Sequence, residues 1–102
     1  MTDREKTRET MAAAAELRRA TEEVFVDSMR TELAVIRTMC TLAEPEEGEK
    51  RAHHVQQAEK AFAAVLEIAK RVGPNQKDRD AIEEARQNIR RVGGHEFPQP
   101  HD

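Results

Sequence analysis

The sequence predicts an all-α protein, a three-helix up-down bundle with an overlong N-terminal helix. Apolar residues recur at helical spacing through most of the 102 residues. The one β-favouring run, residues 24–26, lies inside that helical pattern. Between residues 3 and 92, glycine and proline occur at only two places, 44–48 and 73–75. Because these residues end helices, the chain divides into one long and two shorter helical segments.

The first segment, 3–43, contains neither glycine nor proline, so we predict one continuous helix. Thr2 and Glu5 fit a capping box, in which each residue satisfies an unpaired N–H group of the first turn. Apolar side chains form two separate faces on this helix, which indicates neighbours on both sides. The first face contains Met11, Ala14, Ala15, Phe25, Val26, Met29, Leu33, Ile36, Cys40 and Ala43. The second contains Ala13, Leu17, Ala20, Val24, Val35 and Leu42.

The second helix is predicted to span 46–72, starting just after Pro45, a residue favoured at the first helical position. Acidic side chains follow at once, where the helix dipole stabilises negative charge. Gly73 provides a left-handed C-terminal cap. The predicted core face consists of Val55, Ala58, Phe62, Val65, Leu66, Ala69 and Val72.

The third helix is predicted to span 76–92. Asn75 is its N-terminal cap, and Asp78 supports the first turn. Residues 93 and 94 are both glycine and end the helix. A narrow apolar seam consists of Ile82, Ala85, Ile89 and Val92. The three helices are therefore expected to form a single domain, 1–94, followed by a flexible tail, 95–102, that lacks periodicity.

The unequal lengths of the helices predict a dimer. At 1.5 Å per residue the first helix spans roughly 60 Å and the second about 40 Å. Short loops make consecutive helices antiparallel, so the second helix covers the first only down to about residue 20. The uncovered apolar side chains need either a second copy of the chain or a first helix that folds back as a fourth helix. We favour a homodimer whose interface contains Met11, Ala14, Leu17, Val24, Val35 and Leu42.

Composition argues against several classes of function. The net charge is −3 and no lobe is strongly basic, so we predict no nucleic-acid partner. No apolar run approaches the length of a membrane span, and the N-terminus lacks the apolar core of a signal peptide. The single cysteine, Cys40, excludes an intrachain disulfide and a paired-cysteine metal site. We therefore predict a cytoplasmic protein.

No pattern of side chains indicates catalysis or a cofactor, and we predict that the protein is not an enzyme. Its expected role is that of a scaffold, adaptor or regulatory subunit, with another protein as a further partner. The alternative is a small metal-binding or sensor subunit, because Glu49 and His53 share a helix face and His54 is adjacent. A third reading is an adaptor for an acidic partner or nucleic acid. It would use Arg86, Arg90 and Arg91.

Overall fold

Three α-helices make up nearly all of the described protein. The computed structural model describes residues 3–94, with side chains from Arg4 onward. The helices are α1 (Asp3–Ala43), α2 (Gly48–Val72) and α3 (Gln76–Gly93), and no strand occurs within residues 3–94. The predicted all-α arrangement with a long first helix is confirmed. The proposed capping residue Thr2 and the predicted tail, 95–102, lie outside the described residues.

Helix α1 is continuous over its 41 residues, so the alternative in which it folds back as a fourth helix is wrong. The protein is accordingly elongated, with principal extents of 69 × 22 × 18 Å. Its radius of gyration is 18.7 Å, whereas a compact domain of this length has a value of about 13 Å. The excess follows from α1, which is much longer than the two helices that pack against it.

The turn between α1 and α2 is longer than predicted. Glu46 donates its N–H to the carbonyl of Ala43, and Glu47 is extended, with φ −132° and ψ 162°. Helix α2 therefore begins at Gly48, which has φ +63°, and the predicted start at residue 46 is wrong by two residues. Proline is compatible with a tight turn as well as with a first helical turn, and here Pro45 lies in the turn.

The other helix ends agree closely with the sequence. Gly73 is left-handed, with φ +58°, and its N–H binds the carbonyl of Ala69 at 3.1 Å. Asn75 accepts the N–H of Asp78 through its side chain at 2.8 Å, as predicted for a cap. Helix α3 continues one residue beyond the predicted residue 92, because Gly94, with φ +68°, and not Gly93, takes the left-handed position.

The hydrophobic core lies between the C-terminal half of α1 and the two shorter helices. Phe62 is its largest fully buried side chain. Most other core residues are small, so the apolar area buried per residue is modest. The buried apolar residues are Met29, Ile36, Cys40, Ala43, Val55, Ala58, Ala61, Phe62, Val65, Ile82, Ala85, Ile89 and Val92.

The core includes no residue of α1 before Met29. Phe25 and Val26 are half-buried, and the guanidinium of Arg71 lies 5.6 Å from the centre of the Phe25 ring. This contact marks the place where the end of α2 reaches α1. The other helices therefore cover α1 only from about residue 25 onward, whereas the sequence predicted coverage from about residue 20. The part of α1 that projects alone is correspondingly longer.

Candidate interaction surface on the first helix

The projecting part of α1, residues 4–24, is called the arm here. Every side chain in the arm is exposed except that of Ala15, which is half-buried. Its large apolar side chains are mostly uncovered: Met11 is 66%, Leu17 is 70% and Val24 is 62% exposed. Single apolar residues are normal on protein surfaces, whereas apolar residues that form a contiguous patch mark interaction sites.

The predicted interface residues are not all equivalent in the structure. Met11, Ala14, Leu17 and Val24 lie on the arm, and all four are exposed. Leu42, near the end of α1, is 44% exposed, although the helix is covered by α2 and α3 at that level. Val35 is the exception, because it is half-buried and packs at the edge of the core.

A regular seam connects five of these six residues. The seam runs along α1 with alternating steps of three and four residues, the spacing of positions a and d in a coiled coil. It contains no charged side chain, although 36% of the residues in the chain are charged. Apart from Val35, all of its members are exposed. The members are Thr7, Thr10, Ala14, Leu17, Thr21, Val24, Ser28, Thr31, Val35, Thr38 and Leu42.

The apolar pattern in the sequence did not identify the threonines of the seam, because they are not apolar residues. Three of them donate their hydroxyl hydrogens to carbonyls of their own helix: Thr10 to Lys6 at 2.9 Å, Thr21 to Leu17 at 2.8 Å, and Thr31 to Asp27 at 3.0 Å. A hydroxyl donor that is satisfied in this way can enter an interface without a lost hydrogen bond. The signal that identifies the seam in the sequence is the absence of charge at a period of 3.5 residues.

The residues of the metal-site alternative do not converge. His54 Nδ1 lies 3.1 Å from Glu46 Oε2, so its nearest carboxylate comes from the turn before α2 and not from Glu49. The rings of His53 and His54 meet edge to face, with centroids 5.6 Å apart. Within residues 3–94, no three His, Cys, Asp or Glu side chains are placed to share a metal ion.

The arginines proposed for an adaptor that binds an acidic partner or nucleic acid mostly make contacts within the chain. Arg86 is buried and donates to the carboxylate of Glu83, with 3.0 Å between Nε and Oε2. Arg91 Nη1 lies 3.0 Å from Glu44 Oε1, so this ion pair joins α3 to the end of α1. These pairs neutralise the charges of Arg86 and Arg91, which weakens the case for an anion-binding surface on α3.

Two other features connect the helices. Arg30 binds both carboxylate oxygens of Asp78 at 3.2 Å, and the Asp78 side chain is buried against α1. Arg51 Nε donates to the carbonyl of Val92 at 2.9 Å, at the edge of a groove between α2 and α3. Cys40 is buried, and burial raises the pKa of its thiol, which disfavours the reactive thiolate. The contacts of Arg30 and Arg51 join the helices of the bundle to one another.

None of α1, α2 and α3 is long and apolar enough to span a membrane. Comparison with known proteins adds no relative: no family model matches the chain, and neither a curated protein nor a solved structure resembles it significantly.

Proposed function

We propose that this chain is a non-enzymatic, cytoplasmic interaction module that associates with a second copy of itself through α1. The observation that carries the proposal is the arm, roughly 30 Å of helix with exposed Met11, Leu17 and Val24. In proteins, the stability of a helix comes mostly from packing of its apolar face, and the arm has no such packing within its own chain. The arm therefore gains stability from a partner.

A second copy of the chain could cover the exposed seam both on the arm and on the part of α1 that belongs to the bundle. The seam on α1 does not stop where the arm meets the bundle but continues to Leu42, which remains exposed. A partner helix of the same length as α1 can cover both parts. Dimerisation is also a common remedy for a small core rich in alanine, as this one is.

The oligomeric state and one pair of variants test this proposal. We expect light scattering to give twice the mass of the 11.6 kDa chain at high micromolar concentration. Leu17→Glu places a charge in the contact, where an unpaired charge is costly, so the dimer should dissociate at least tenfold more readily. Ala12→Glu introduces the same side chain at an exposed position outside the seam and should leave the mass unchanged.

Three results would count against the proposal. A wild-type protein that is monomeric under these conditions would exclude self-association through α1. A Leu17→Glu variant that remains as dimeric as the wild type would place the interface elsewhere. Equal weakening by Leu17→Glu and Ala12→Glu would indicate a non-specific effect of added negative charge on the arm.

A further inference from the structure

We infer that the second copy binds antiparallel along the seam, with Leu17 of one chain beside the partner's Val35 and Arg18 beside the partner's Glu32. This inference rests on the proposed self-association and specifies its geometry. In the arrangement, the arm of each chain lies along the bundle of the other, so each arm obtains the packing that its own chain does not provide.

The seam is long enough to support such pairing. From Thr7 to Leu42 it covers five heptads, and three to four are enough to indicate a coiled coil. A repeat of 3.5 residues drifts by about 20° per heptad around a straight helix, so pairing along its whole length requires a left-handed supercoil. Over the bundle, the seam avoids the side of α1 that holds Arg30 and its α3 partner Asp78. The seam is therefore accessible to another helix.

The charges beside the seam discriminate between orientations. They lie at the flanking positions of the heptad, Lys6 and Asp27 on one side and Arg18 and Glu32 on the other. In a parallel dimer, a residue on one flank of the seam contacts the partner residue that lies on the opposite flank and five positions later in the sequence. This contact brings Asp27 beside the partner's Glu32. That repulsion occurs twice by symmetry. Arg18 is exposed and Glu32 is half-buried, so both side chains retain surface that a partner helix can reach.

In an antiparallel dimer, equivalent flanks face each other. When Thr10 is aligned with the partner's Leu42, the two seams overlap from Thr10 to Leu42. Arg18 then faces the partner's Glu32 twice, and Asp27 meets its own copy once at the two-fold axis. Two attractive pairs against one like-charge contact favour this orientation over the parallel one, which has only the repulsive pairs.

Neighbouring antiparallel registers are less favourable. A shift of one heptad in one direction places Leu17 beside the partner's Ser28 and Arg18 beside the partner's Phe25, so the contact between Arg18 and the partner's Glu32 is lost. The opposite shift places Leu17 beside the partner's Leu42 and leaves Met11 and Ala14 without a partner. The register that pairs Thr10 with Leu42 covers the arm and satisfies both Arg18 and Glu32.

A charge-swap cycle tests orientation and register. Arg18→Glu and Glu32→Arg should each raise the dissociation constant of the dimer about tenfold, because two exposed attractive pairs become repulsive. The double variant should return to near the wild-type value. Arg19→Glu, the same charge change one residue away and outside the seam, should have little effect. In a parallel dimer, by contrast, Glu32→Arg would relieve the repulsion by Asp27 and tighten binding.

A distance measurement gives an independent test. A spin label can be attached at position 9 in a Glu9→Cys, Cys40→Ala double variant, because this position lies outside the seam. In the inferred dimer the two labels should be about 50 Å apart. A parallel dimer would bring them within about 20 Å, since paired helices lie 8–10 Å apart. The inference would be overturned by a short distance between the labels, by tighter binding of Glu32→Arg, or by a double variant whose dissociation constant does not return to the wild-type value. Each of these results would leave self-association intact. A monomeric wild type would instead overturn the proposed function.

Discussion

Phe62→Ala should be among the most damaging single substitutions in this protein. Phe62 is 1% exposed and is the largest side chain that is fully buried. The other core residues are mostly alanine and valine, whose side chains are too short to fill the space that a phenyl ring leaves. Removing a buried phenylalanine costs about 3–5 kcal/mol, because the lost transfer free energy is added to the cost of a cavity.

That loss is large in relation to the whole protein. At 0.05–0.15 kcal/mol per residue, the 92 described residues correspond to roughly 5–14 kcal/mol of total stability. In urea, with a slope of about 1–1.5 kcal/mol per molar, the midpoint should fall by about 2–5 M. We therefore expect the variant to be partly unfolded, or close to unfolding, at room temperature.

The assay is urea unfolding followed by circular dichroism, with wild type and variant at the same chain concentration because a dimer gains stability with concentration. Phe25→Ala is the matched control, since Phe25 is half-buried and its ring is covered on one side by Arg71. The control should lose about 1–2 kcal/mol at most, from partial burial and a cation–π contact. If Phe62→Ala unfolds cooperatively with a loss no greater than the control, the core assigned here is wrong.

Two further predictions concern ion pairs. Arg30→Ala should lower the melting temperature, because it leaves the buried Asp78 carboxylate without its bidentate partner, and Asp78→Asn should partly restore it. An unchanged melting temperature of Arg30→Ala would contradict this role. The hydrogen bond from Arg86 lowers the pKa of Glu83 from 4.5 to about 2. A lowered pKa contributes stability that is present above about pH 4.5 and is lost as the pH falls towards 2. Because Glu83 is about half exposed, this contribution should be below about 1 kcal/mol and should disappear in Glu83→Gln; identical pH profiles for the two proteins would disprove it.

The sequence alone determined the number, kind and approximate length of the helices. These properties depend on interactions within one or two turns, so local patterns are sufficient. The left-handed Gly73, the capping side chain of Asn75 and the unbroken run from residue 3 to residue 43 act in this way. The apolar periodicity around Phe62 also identified the core face of α2 without knowledge of what packs against it.

Only the tertiary structure decided what each face meets. The sequence predicts that Asp78 supports the first turn of its own helix, but in the structure it is buried against Arg30, 48 residues away. Arg86 reads as a surface cation and is buried beside Glu83. The end of coverage near Phe25, which defines the arm, likewise depends on where α2 begins and how it lies against α1. Such contacts follow from the relative rotation and offset of whole helices, which no spacing within a single helix specifies.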